Sequence, residues 1–388
     1  MEKKDRLARG KWALSFLLLG LSSLLPAGTN GQAPTPADAM ALEQQGKLEE
    51  AARAWLAVTE RDPNDAGAFA SLGLVLSKEQ KYPEAAKAYR KAIALNPKLP
   101  GVQLNLGLAE FKQGQFEAAI PPLREALAAN PHNMQTTTLL GLSLYGAKRF
   151  AEATKYLELA VGADPGNTEL HQVLAQSCLL AKKYSCALDE FKKLQELDPN
   201  SSAVHVFTGE ALDGEGKTEE AIAEFQTAVK LAPQEPNLHF ALGYLYWKAH
   251  QYDEAVTAFE AELAIEPRNA QALTYLGDIA MKKEDNAKAL ELLRKATQLQ
   301  DDIRLAYLDI GSILVDQKQY PEALSTLQHA EKLDPTQSDV HFRLGHVYQL
   351  TGNNAAAQKE FAKVRELKEQ EEKREGNVSS KTNKNPTP

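Results

Sequence analysis

The 388-residue sequence carries none of the short motifs that organise common catalytic sites. There is no G-x-S-x-G elbow, no P-loop, no H-E-x-x-H and no C-x-x-C. Asp and Glu are plentiful, but they fall at helical spacing on polar faces, and no long terminal extension offers room for a catalytic domain. The chain is therefore expected to be a non-enzyme without cofactor. Cysteine is almost missing: Cys178 and Cys186 are the only two. No cysteine follows the one N-terminal apolar run, which argues against a bacterial lipoprotein anchor, and no twin Arg precedes it. That run, Trp12 to Leu25, is too short to span a bilayer comfortably.

What is present begins with a basic start, Lys3, Lys4, Arg6, Arg9 and Lys11, ahead of the apolar run and Pro26. This order fits a signal peptide over residues 1–33, or an uncleaved N-terminal anchor through residues 12–25. The expectation is an exported protein, periplasmic or secreted if cleaved and membrane-anchored if not. The whole chain has a formal charge of −8. Residues 1–33 hold five basic and two acidic groups, so the remainder carries −11. Such a surface argues against nucleic acid and anionic membranes as partners.

The dominant signal is a period of 34 residues. Pro63, Pro97, Pro131, Pro165, Pro199, Pro233, Pro267 and Pro335 share one phase, with Asp301 in the remaining slot. Gly73, Gly107, Gly141, Gly209, Gly243, Gly277, Gly311 and Gly345 share another, with Ala39 and Ala175 as variants. A third phase is Ala throughout, from Ala51 to Ala357, and a fourth is large and apolar, from Trp55 to Phe361. A fixed period of this length marks a stacked array. Small residues let two helices approach, and the large slots fill the space around the contact. Gly46, Gly114, Gly216 and Gly352 fall between the helices, where a left-handed cap suits Gly. Pro83 and Pro321 open second helices.

The stretch His239 to Pro267 sets the slots out in full: His239, Leu242, Gly243, Tyr246, Ala255, Phe259, Pro267. In order and spacing it resembles the tetratricopeptide repeat (TPR) family, with His239 where that family usually has Trp. The resemblance covers about residues 32–371 as ten repeats. It implies an all-α fold, an α-solenoid of helical hairpins wound as a right-handed superhelix. Thr35-Pro36 reads as an N-cap and first helical residue. Residues 355–375 read as one long charged capping helix, ended by Gly376 and followed by a polar, disordered tail to 388.

His171, His205, His239 and His341 all lie in the Trp slot. Neighbouring repeats stand about 10 Å apart, and zinc ligands must lie about 2.0–2.3 Å from the ion, so no two of these histidines can share a metal. They read as packing residues, and no metal site is expected. Cys178 and Cys186 sit on the two helices of the fifth hairpin. A disulfide and a pair of small buried residues are both open, and a Cα separation above about 7 Å would exclude the bond.

The resemblance also implies a binding groove lined by the first helix of each hairpin. Residues one, five and eight after the Trp slot face into it. These positions hold Leu104, Leu108 and Phe111 in the third repeat, and Thr138, Leu142 and Tyr145 in the fourth. The sixth repeat offers Glu210 and Asp213, the seventh Phe240, Tyr244 and Trp247, and the eighth Asp278. Two apolar patches thus flank an acidic middle. The expected function is a protein- or peptide-binding scaffold whose partner is an apolar segment with flanking Lys or Arg. Two readings cover the seventh-repeat aromatics: they anchor the partner, or they fill the interior against Tyr275 and Met281. The alternative function is a structural component of an envelope assembly or secretion machine, docking through the convex face and hairpin edges.

Overall fold

The computed structural model describes residues 33–382. The N-terminal apolar run and residues 383–388 lie outside the described residues. Among those described, the chain is helical hairpins throughout. The first helices of the hairpins are α1 (Pro36–Gln44), α3 (Ala66–Lys78), α5 (Val102–Lys112), α7 (Met134–Gly146), α9 (Thr168–Leu180), α11 (Ser202–Gly214), α13 (Leu238–Lys248), α15 (Ala270–Lys282), α17 (Arg304–Asp316) and α19 (Ser338–Leu350). The second helices are α2 (Leu48–Arg61), α4 (Tyr82–Leu95), α6 (Phe116–Ala129), α8 (Phe150–Ala163), α10 (Tyr184–Leu197), α12 (Thr218–Leu231), α14 (Tyr252–Ile265), α16 (Asn286–Leu299), α18 (Tyr320–Leu333) and α20 (Asn354–Thr382). The expected all-α solenoid of paired helices is what the chain adopts. No helix among the described residues is long and apolar enough to cross a membrane. Two compact units result, one ending at Ala109 and the other beginning at Glu110.

The glycine phase works through close approach. A methyl group on Gly243 would come within 2.8 Å of the Phe259 ring, and one on Gly209 within 2.6 Å of Phe225. Leu293 and Leu327 stand equally close to Gly277 and Gly311, at 2.6 Å. A side chain there would force the facing Phe or Leu out of its place.

The turn inside each hairpin is more uniform than its sequence. All ten residues from Gly46 to Gly352 at the 34-residue step have φ between 58° and 80°, yet six are not glycine: Gln80, Lys148, Lys182, His250, Glu284 and Lys318. Each non-glycine residue there costs about 1–2 kcal/mol of backbone strain. Paired hydrogen bonds offset it. In the fourth repeat Lys148 N donates to Tyr145 O at 2.9 Å and Arg149 N to Leu144 O at 2.8 Å, which closes the helix in a Schellman cap. Side-chain caps start many first helices, as where Asn133 and Asn269 accept from Thr136 N and Ala272 N. Thr35 and Asp38 form a reciprocal capping box on α1.

Three of the four slot histidines build the same arrangement. Their Nε2 atoms donate to the carbonyl of the proline six residues earlier, at 3.0 Å for His171, 3.2 Å for His205 and 3.0 Å for His341. Their Nδ1 atoms face Glu190, Glu224 and Glu360 from the second helix of the same hairpin. His239 keeps only the proline bond, because its second helix carries Ala258 at the equivalent place.

Cys178 in α9 and Cys186 in α10 are joined as a disulfide across the fifth hairpin, with Cα atoms 5.8 Å apart. The C-terminal helix departs from expectation. α20 passes through Gly376 and runs to Thr382. A lone Gly weakens a helix by about 1 kcal/mol but does not stop one, and no proline intervenes before Pro386.

Candidate functional site

Within the larger unit, first helices lean on one another along one side: α7 on α9, α9 on α11, α13 on α15, α15 on α17 and α17 on α19. Between α11 and α13 the contact is weaker than these. Most first helices of this unit span thirteen residues, but α13 spans eleven. Its start is delayed by Pro236 and by Asn237, which is left-handed at φ 66°. The exposed turn is held from the second helix instead: Glu262, fully buried on α14, accepts from Asn237 N at 2.8 Å and Phe240 N at 3.1 Å. A cleft of about 520 Å³ opens beside it. Val206, Phe207, Phe225, Leu238 and Phe240 form its apolar walls, and Glu210 and Glu235 supply carboxylates. Glu210 is exposed, but the surrounding protein displaces enough water to raise its pKa.

Beyond Phe240 the seventh and eighth repeats share an aromatic cluster. Tyr275 is its centre. It stacks on Phe259 at 5.5 Å and meets Trp247 edge-on at 5.0 Å, Tyr244 at 5.6 Å and Phe240 at 5.9 Å. Burial, together with Tyr244 and Asp278, pushes the Tyr275 phenol up to about 12. Trp247 Nε1 donates to Asp278 Oδ2 at 2.5 Å, and Lys282 Nζ donates to Asp278 Oδ1 at 2.5 Å while lying over the Trp247 ring.

Two of the acidic positions assigned to the groove are not free. Asp278 is 2% exposed, because α17 covers α15 and the Trp247 and Lys282 bonds draw the carboxylate inward. Asp213 is held by Lys248 at 2.7 Å. Met281 packs into the next cluster, with the α17 core. Glu210 and Phe240 do come together, in the cleft. Tyr244 and Trp247 lie on the same helix as Phe240, half-buried against Tyr275. Leu142 and Tyr145 sit farther along the unit on α7, where the Tyr145 hydroxyl donates to Gln176 Oε1 at 2.6 Å. Leu104 and Leu108 belong to the smaller unit and are half-buried on α5. Phe111, at the end of that helix, packs edge-on against Phe116 at 5.5 Å.

The Tyr145–Gln176 and Trp247–Asp278 bonds share a rule that the sequence reading missed. In each, the position eight after one slot bonds the position five after the next, a spacing of 31 residues. Donor–acceptor pairs at that spacing were visible in the sequence. So was the Pro236-Asn237 pair at the delayed start of α13, which borders the cleft.

Family profiles described as tetratricopeptide repeat match residues 104–168 and 240–302, and also 144–210 and 338–371. One described as TPR repeat matches 76–114, 209–249 and 311–352. No curated protein matches the chain. Among solved structures, the chain is similar to the APC/C hetero-tetramer Cut9–Hcn1, at 15% identity over 85% of this chain and 80% of that one, with a TM-score of 0.49. It is similar to MamA from MSR-1 at 26% identity over 43% of this chain and 95% of that one, with a TM-score of 0.38. It is also similar to YrrB, described as a TPR protein with an unusual peptide-binding site, at 24% identity over 46% of this chain and 91% of that one, with a TM-score of 0.37.

Proposed function

Because the chain belongs to the tetratricopeptide repeat family, we propose that it is a non-catalytic scaffold of the cell envelope that binds a protein segment in the α11–α13 cleft. The observation that carries this reading is the cleft itself: apolar walls, a partly desolvated Glu210 and Glu235 beside them. An apolar side chain would fill the walls, and an adjacent Lys or Arg would pair with the carboxylates. The segment can extend along α13 over Tyr244, which stacks on Trp247 and meets Tyr275 in the aromatic cluster. Selection of displayed peptides on the full chain tests this. Enriched sequences should combine apolar residues with Lys or Arg, and Phe240→Ala or Glu210→Gln should weaken the best of them at least tenfold. Peptides that bind both variants as tightly as the native chain would place the site elsewhere. Export rests on the basic start and apolar run of residues 1–33. A reporter active only outside the cytoplasm, fused after residue 40, should be active, and a silent reporter would refute it.

A second reading, docking through outer surfaces in an envelope assembly or secretion machine, is favoured by one feature of the smaller unit. An apolar groove of about 530 Å³ lies along α2, α3 and α4, lined by Leu56, Phe69, Leu72 and Leu76, with Leu56 48% exposed. Leu56→Glu should abolish assembly on this reading and leave peptide binding intact.

A further inference from the structure

The histidine of the tenth repeat is surrounded differently from its counterparts. In His171, His205 and His341 alike, Nε2 points at a proline carbonyl, which can only accept. Nε2 therefore carries a hydrogen, and Nδ1 is the atom left for other chemistry. Nδ1 of His341 lies 2.7 Å from Glu360 Oε2. A nitrogen lone pair and a carboxylate oxygen that close repel each other unless a proton or a metal cation lies between them.

The fifth and sixth repeats balance this arrangement with other groups. Glu190 also accepts from Lys193 Nζ at 2.8 Å, and Glu224 from Gln195 Nε2 at 3.2 Å. The tenth repeat differs at two places. Ten residues before the histidine, where the earlier repeats carry Val161, Gln195 and Val229, it carries Glu331, whose Oε1 lies 3.9 Å from His341 Nδ1. Lys363, the counterpart of Lys193, turns to Glu366 at 3.0 Å. Among the described residues, no Lys or Arg pairs with Glu331 or Glu360. Two carboxylates thus converge on one imidazole nitrogen with no second positive group beside them.

We propose that Glu331, His341 and Glu360 bind one divalent transition-metal cation of the Zn²⁺ class, one ligand each from α18, α19 and α20. Their donor atoms already lie within 4.8 Å of one another. Zinc with ligands at about 2.0–2.2 Å sets neighbouring donors about 3.3 Å apart, so Glu331 closes and Glu360 opens by about 0.6 Å each. A zinc-bound histidine characteristically donates its other N–H to a backbone carbonyl, the role Pro335 fills here. Two carboxylates and a neutral imidazole match the charge of a dication. Glu331, with its side chain 34% exposed, leaves the fourth position to water and gives the ion its path from solvent. The ion would fasten α20 to the two helices before it. Among the described residues, the other grouping of this kind, Glu158 with Cys178 and Cys186, has its sulfurs committed to the disulfide.

The test uses the full chain, purified without a histidine tag, stripped with chelator and titrated with Zn²⁺ by calorimetry and equilibrium dialysis. The expected result is one Zn²⁺ per chain whose affinity falls at least tenfold in Glu331→Gln and is unchanged in Glu190→Gln. Glu331→Gln reproduces what the sixth repeat already carries at Gln195, so it should keep the fold, checked by an unchanged melt without metal. Co²⁺ should give a tetrahedral visible spectrum with the native chain that Glu331→Gln lacks. No stoichiometric Zn²⁺ in the native chain, or equal binding by Glu331→Gln, would overturn the proposal and leave a proton as the occupant.

Discussion

Helices α13 and α17 occupy the same place in repeats two apart, and they exchange the burial their compositions suggest. α13 is rich in large apolar residues, with Phe240, Tyr244, Tyr246 and Trp247 on most of its faces, yet buries only Leu238, Leu242, Gly243 and Leu245. α17 carries Asp309 and Ser312, yet every residue from Leu308 to Val315 is buried. The difference lies in the neighbours. α17 is flanked by first helices on both sides, α15 and α19, besides the second helices α16 and α18. α13 leans on α15 but faces α11 across the cleft. Apolar surface in an array is covered where adjacent repeats close up, and between α11 and α13 part of it is left open to the cleft. Polar groups caught in the closed stretch bond locally: Ser312 Oγ donates to Leu308 O at 2.8 Å, and Thr274 Oγ1 to Ala270 O at 2.9 Å. Asp309 has no such outlet, and its Oδ2 lies buried without a partner.

Four substitutions sharpen or break this comparison. Ile313→Ala, at a fully buried site in α17, should cost about 2–5 kcal/mol in denaturant unfolding. A cost below that of removing an α13 aromatic would show that the two helices do not differ as described. Trp247→Phe keeps a ring but removes the N–H that serves buried Asp278, and should cost about 1–3 kcal/mol. Trp247 therefore reports on the join between α13 and α15 before it reports on any partner. No loss of stability in this variant would mean that the bond to Asp278 is dispensable.

Asp309→Asn should act in the opposite direction. Burial, with Asp278 nearby, raises the Asp309 pKa well above the usual carboxylate range, although Lys282, Arg343 and Arg304 pull against it. A pKa raised on folding means that the native state holds the proton more tightly than the unfolded chain. That contribution is fully present below about pH 4 and is lost as pH rises through the native value. The Asn variant lacks this loss. It should be more stable than the native chain at pH 7, by about 1 kcal/mol, with the gain vanishing towards pH 4. Parallel melts across that range decide it, and an equal difference at both ends would exclude the linkage. Tyr244→Ala should change stability least, by less than about 1 kcal/mol, because the side chain stays half-exposed beside Tyr275. It should nevertheless weaken a selected peptide, and unchanged peptide affinity would remove Tyr244 from the site.

The sequence by itself determined the period, the helical hairpins and the contacts inside each hairpin. These depend on residues sixteen apart, such as Gly243 and Phe259, and the pattern repeats them often enough to be read directly. Tertiary structure alone decided which surfaces stay open. Phe240 and Glu210 were legible as inward-facing positions, but the cleft that joins them required the stand-off between α11 and α13. Asp278 occupies an inward position by its spacing, yet it is buried, because α17 closes over α15 and Trp247 reaches it from the repeat before. Left-handed residues such as Lys148 and Lys182 are imposed in the same way. Packing of the two helices holds a turn that Gly alone would favour by intrinsic preference. The physical reason is range: spacing along the chain specifies which face a residue occupies, whereas coverage of that face depends on how closely the next repeat stands.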